Sequence, residues 1–229
     1  GRFLSIDPMA EKFYHLSPYA YCAGDPVNMV DPDGRKIYFA DGVPEWFKER
    51  FAATIQYMNE KGTSWIFKEL QDSDSIYYID YNEEKIKEKG GTYNHVSRTI
   101  YWSPDLYART TNGTILFPAT ILAHEGAHAL QHEKYGDDKY KELYNAKDAQ
   151  YERENERKVI TKTEQYVAKR HGDINNNGRT REDHKGNIKI LTSKDYVSIF
   201  GSDIPQKVND ENNYLILIYL YNTWKKQEH

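Results

Sequence analysis

Between Gly113 and Gln131 only Glu125 carries a formal charge, and most of its neighbours are apolar or small. Pro118 suits the first position of a helix, where its missing N–H costs nothing, so the run predicts a helix from there. A helix apolar on nearly all sides must lie inside the protein. This one nevertheless contains His124, Glu125 and His128 in the pattern H-E-x-x-H. Imidazoles four residues apart sit about 40° from each other around the axis and can face one metal ion. Glu125 projects to the side of that pair, where it can take a proton from an activated water. Burying two histidines and a carboxylate without a partner is costly. A zinc ion answers that cost; the alternative is a hydrogen-bonded structural network.

A catalytic zinc generally takes three protein ligands. His132 continues the spacing, but from His124 it is about 12 Å along a straight helix, too far to share an ion with bonds of about 2.0–2.2 Å. It reads as a surface or outer-layer residue. Cys22 is the only cysteine, which excludes cysteine ligation and an internal disulfide. The third ligand is therefore sought among downstream carboxylates. A second, charge-rich helix is expected from near Tyr140 to Arg170, after a break at Gly136-Asp137-Asp138. Asn145, Ala149, Glu152, Glu156, Val159, Ile160, Thr163 and Val167 form its inner stripe, with Glu154 opposite and Glu164 at the edge. Glu156, at the centre of the stripe, is the expected ligand. Glu152, one turn earlier, is the rival ligand or a partner that orients an imidazole.

Elsewhere the patterning is that of a mixed α/β chain. Lys36–Ala40 and Ile76–Ile79 read as strands, and Val96–Trp102 as another. Pro44–Lys61 reads as a helix with Phe47, Phe51, Ile55 and Met58 inward, ended by Gly62. Trp65–Leu70 is a short apolar piece, and residues 82–91 a charged surface excursion. The run Tyr214–Tyr221 is too short to span a bilayer. Asp173–Gly178 begins like a calcium-binding loop, but its twelfth position is His184 rather than a bidentate Glu, so it reads as a turn. With 31 basic and 35 acidic residues the formal charge is −4, which offers nucleic acid no field and disfavours a nuclease.

Residues 1–34 are punctuated by Asp-Pro, Ser-Pro and Asp-Gly pairs. GRFLSIDP, followed by SPYAYCAGDPVNMVDPDG, resembles the C-terminal end of the RHS-repeat-associated core of bacterial polymorphic toxins. The resemblance implies a short β tail belonging to an upstream RHS cage, with a toxin domain following from residue 35. It makes Asp25 and Asp31 candidates for self-cleavage after the motif, although Arg35 stands where many relatives have Leu. It also implies a secreted protein, or one delivered into a target cell by a bacterial secretion system, and a cognate immunity protein. The chain begins at Gly1 without a methionine and shows no signal peptide, so it is expected to be a piece of something longer.

A second resemblance concerns the chemistry. HExxH, then Glu156-Arg-Lys-Val-Ile160 and Glu164, then Arg179–Gly186, is similar to small metallopeptidase toxin domains of effector proteins. In such enzymes a His, Tyr or Arg donates to the developing oxyanion; His184, Arg181 and Arg179 are the candidates here, His184 foremost. The likeness also suggests His95–Trp102 as an edge strand that pairs with extended substrate. The expected domain, residues 35–229, is thus an α+β zincin-like fold: an active-site helix and a ligand helix on a small antiparallel sheet. Zinc would be held by His124, His128 and Glu156, with Glu125 as general base and a protein or peptide as substrate. A non-catalytic interaction module stapled by the metal is the rival, and a fourth ligand from Glu152 or His132 would mark it.

Overall fold

The computed structural model describes residues 36–86, 90–174 and 178–190. Asp25, Asp31, the RHS-like segment and the apolar run 214–221 lie outside the described residues. The chain opens with β1 (Ile37–Phe39), α1 (Glu45–Glu60) and α2 (Trp65–Gln71), then β2 (Tyr77–Asp80) and a single turn, α3 (Glu83–Ile86). The hairpin β3 (Gly91–Asn94) and β4 (Thr99–Trp102) follows, then β5 (Leu106–Thr110), β6 (Ile115–Leu116) and the long α4 (Pro118–Asn145). A two-residue ladder, β7 (Lys147–Asp148) with β8 (Glu152–Arg153), leads into α5 (Glu154–Lys158), a π-helical turn (Val159–Glu164) and α6 (Gln165–His171). Last comes β9 (Gly186–Ile190).

This is a mixed α+β fold, but its main sheet is not the small antiparallel one expected. The order is β1-β2-β4-β3, with β1, β2 and β4 mutually parallel and only β3 antiparallel. The α1–α2 crossover carries the chain from one end of β1 to the start of a parallel β2, as parallel pairing demands. A second sheet, β6-β5-β9, is antiparallel. The edge-strand expectation also shifts. His95–Arg98 is the hairpin turn, held by Asn94 Oδ1 accepting from the N–H of Val96 at 2.9 Å and of Ser97 at 3.2 Å. β4 is an interior strand, so the free edge beside α4 is β3.

The first half of α4 is buried all round from Pro118 to Leu130, as its lack of charge requires. Trp102 Nε1 donates to Pro118 O at 2.8 Å, and the Phe117 N–H donates to Asp173 Oδ2 at 3.0 Å, which fixes the start of the helix. Asp173 is thereby used as a cap. Gly126 makes the crossing with α2 possible: a Cβ there would lie 2.9 Å from both Ile66 Cγ2 and Phe67 Cζ. Against the same core pack Phe47 and Met58 of α1, with Phe51 and Ile55 partly covered, the expected stripe.

The expected second helix from Tyr140 to Arg170 is two separate pieces. Gly136 takes non-helical angles (φ 74°, ψ 170°), but this only kinks α4, which resumes to Asn145. The real interruption is at Asp148, whose Oδ1 accepts from the N–H of Gln150 at 2.9 Å and of Tyr151 at 2.8 Å. Such a side chain offers the backbone an alternative to the helix. Glu152 then sits at φ 70°. Asn145, Ala149 and Glu152 therefore share no stripe with Glu156. Among the described residues no helix is long and apolar enough to cross a membrane.

Candidate metal centre

α4 presents His124 and His128 on one face, and α5 presents Glu156 opposite them. The two Nε2 atoms are 3.1 Å apart, and Glu156 Oε2 lies 3.1 Å from that of His128 and 3.2 Å from that of His124. Ligand atoms bound at about 2.0–2.1 Å around a tetrahedral ion sit about 3.3 Å from one another. The triangle is already near that size. Among the described residues this is the single cluster of potential ligands that converges so closely.

The donor set fits a divalent cation chemically as well. Two neutral imidazoles cannot aim lone pairs at each other across 3.1 Å without a positive charge between them. Burial pushes His124 toward its neutral form, but the carboxylates of Glu156 and Glu164 beside its two ring nitrogens outweigh it and lift its pKa to about 10. Burial would raise Glu156, yet the charge of His128 and hydrogen bonds from His124, His128 and His184 hold it well below the usual carboxylate range. The pocket thus attracts positive charge strongly.

Behind the triangle is a layer that fixes the tautomers. Glu164, fully buried, brings Oε2 to 2.8 Å from His124 Nδ1; the approach is off-axis, an ion pair rather than an aligned hydrogen bond. Arg181 grips the same carboxylate in bidentate fashion, Nε donating to Oε1 at 2.9 Å and Nη2 to Oε2. His124 is thereby held with its proton on Nδ1 and Nε2 free to ligate. For His128, Asn155 Nδ2 lies 3.4 Å from Nδ1, while Asn155 Oδ1 is buried without a partner. A half-turn of this amide gives Oδ1 the Nδ1–H that a ligating His128 must donate.

The geometry separates Glu156 from Glu152. Glu152 Oε2 lies 2.7 Å from His184 Nδ1, so Glu152 orients an imidazole, but that of His184 rather than of His124 or His128. His184 Nε2 in turn lies 3.3 Å from Glu156 Oε2. Of the three candidate oxyanion donors, Arg181 spends its guanidinium on Glu164, and Arg179 is exposed; His184 lines the cleft. His132 is buried, not on the surface: Nδ1 is 2.8 Å from Tyr93 Oη and Nε2 is 2.7 Å from Asp137 Oδ1. With both ring nitrogens engaged, it is no fourth ligand.

Glu125 does not join the triangle. It is buried at the side of a cleft of about 360 Å³, next to β3, which lines the same cleft. Gly91 lets that strand come close, since a Cβ there would lie 2.9 Å from Glu125 Cγ. The expected stripe has Glu164 only at its edge and leaves Asn155 out. On a regular helix Glu164 would sit about 80° around the axis from Glu156. The π-helical turn Val159–Glu164 accommodates an extra residue, which reduces that offset to about 20° and aims both carboxylates at His124. No family model, curated protein or solved structure matches the chain.

Proposed function

We propose that residues 35–229 form a zinc-dependent, zincin-like peptidase domain that hydrolyses peptide bonds of a protein in a target cell. The observation that carries this reading is the separation of roles on α4. His124 and His128 converge with Glu156 within 4.8 Å, while Glu125 stays outside that set and faces the cleft. A structural site would instead be closed by a fourth protein ligand, and Glu152 and His132 are both engaged elsewhere. From the RHS-like residues 1–34 come the delivery by a secretion system and the immunity partner.

Zinc held by His124, His128 and Glu156 would supply Lewis acidity, polarising a carbonyl and acidifying water. Glu125 accepts the proton of the attacking water on its carboxylate and passes it to the leaving amine. His184, in its doubly protonated form with Nδ1–H donated to Glu152, directs Nε2–H to the oxygen on which negative charge develops. Glu164 and Asn155 hold the imidazole tautomers, and the edge of β3 offers backbone groups to an extended chain.

The test is Glu125→Gln, which keeps size and removes the basic oxygen. It should retain stoichiometric zinc and wild-type folding while losing about 10²–10⁴-fold in peptide hydrolysis, and expression in susceptible cells should become harmless. Equal toxicity of both forms at equal expression, or wild-type protein that takes up no zinc, overturns the proposal.

A further inference from the structure

The metal-centre cleft shares a wall with a second, more open hollow beneath the β7–β8 ladder; Tyr144, Glu152 and Arg153 line both. Arg153 is the positive charge on this ridge. Its guanidinium carbon lies 4.1 Å from the centre of the Tyr144 ring, which restrains it. Its nearest carboxylate oxygen, Glu152 Oε1, is 3.8 Å away, at the outer limit of an ion pair. The acids around it are turned to other tasks. Glu152 Oε2 is committed to His184, and Asp148 accepts two backbone N–H groups and pairs with Arg157 at 3.1 Å. Lys147 at the hollow and Lys185 at the cleft are exposed and make no ion pair among the described residues. The ridge beside the metal cluster therefore presents one cation, Arg153, held by Tyr144 with only a long ion pair to Glu152, and two lysines that make no ion pair among the described residues.

We propose that Arg153 is a specificity-determining residue: an anion subsite that selects peptides bearing a carboxylate close to the bond held in the cleft. The location rests on the peptidase reading; the recognition does not require turnover. A planar guanidinium restrained over an aromatic ring suits bidentate binding of a carboxylate. That carboxylate is supplied either by an Asp or Glu side chain or by a free C-terminus.

Binding and cleavage separate the two ideas. The zinc-loaded Glu125→Gln protein is titrated with fluorescent, N-acetylated pentapeptides that differ only by Glu or Gln at each position, each with a free or amidated C-terminus. One carboxylate position should bind about 10–100-fold more tightly than its neutral match, the range for a hydrogen bond to a charged group. Loss of the preference on amidation identifies the C-terminus as its source; persistence identifies the side chain. Arg153→Gln should abolish the preference with zinc content unchanged, and Arg153→Glu should reverse it toward Lys-containing peptides, a gain that misfolding cannot imitate. Equal affinity for all pairs, or an unchanged preference in Arg153→Gln, overturns the subsite. Cleavage by the wild type without acidic preference overturns the subsite alone, whereas acidic preference in binding without any cleavage overturns the peptidase reading alone.

Discussion

Glu164→Gln is the most demanding test of how the centre is built. The carboxylate is fully buried and meets two groups: it accepts from Arg181 at both oxygens and lies 2.8 Å off-axis from His124 Nδ1. Gln keeps the volume but has a single acceptor oxygen. Whichever donor that oxygen serves, the amide N–H₂ must face the other. Arg181 is left buried without its hydrogen-bonded countercharge, and removing one member of such a pair costs about 3–5 kcal/mol. For a domain of this size that is roughly 6–20 °C in melting temperature. In addition, His124 loses the group that keeps its proton on Nδ1, an outer-layer defect worth about 10–100-fold in metal affinity. Calorimetry of the chelated protein reads the first effect, and competition with a chromophoric zinc chelator reads the second. Replacing Arg181 by Met in the same protein should recover part of the stability, because the orphaned charge is gone, but none of the zinc affinity. A Glu164→Gln protein that melts within about a degree of wild type and holds zinc equally well refutes the reasoning.

Two further outcomes follow from separate parts of the fold. His171, buried between Thr63 and Thr120 at 2.8 Å from each, has its pKa lowered from 6.5 to about 3, by burial first and the Lys61 charge second. The unfolded chain therefore binds this proton more readily, and the contribution of neutral His171 to stability declines as pH drops below 6.5 and is gone by about pH 3, up to about 5 kcal/mol in all. Denaturant melts at pH 7 and pH 5 should show a steeper acid loss for wild type than for His171→Gln; parallel losses count against this assignment. Gly91→Ala should force the added methyl against Glu125 Cγ and Tyr101 O, 2.9 and 3.3 Å away. Peptide hydrolysis should fall at least tenfold while zinc content stays stoichiometric, and unchanged kcat would show that β3 yields without disturbing Glu125.

What could be read from the sequence, and what could not, divides along physical lines. The buried helix was legible because a charge-free run has one place to go, and HExxH fixed two side chains by local geometry. Glu156 was expected from its place at the centre of a stripe whose first half does not exist; the half that does, with Val159 and Ile160 buried, is what carries it toward the two histidines. The failure came at Asp148, where a side chain capping two backbone amides outweighs a helical rhythm that continues on paper. His132 and the sheet pairings failed differently. Tyr93 and Asp137 come to His132 from a strand and from beyond a kink, and β9, pairing Gly186 with Thr110 and Ile190 with Leu106, reaches β5 from the far side of α4 in the chain. Such partners leave no periodic trace.

The π-helical turn between Glu156 and Glu164 also sets the terms on which this centre can change. Removing the extra residue would leave seven regular steps between the two carboxylates and nearly the same offset, about 20°. Relaxing the turn to α geometry at its present length would instead carry Glu164 about 80° around the axis from Glu156 and away from His124. The turn is therefore a way of living with one surplus residue. A shorter helix reaches the same facing without it, and what has to persist is the common direction of the two carboxylates rather than the length of the segment between them.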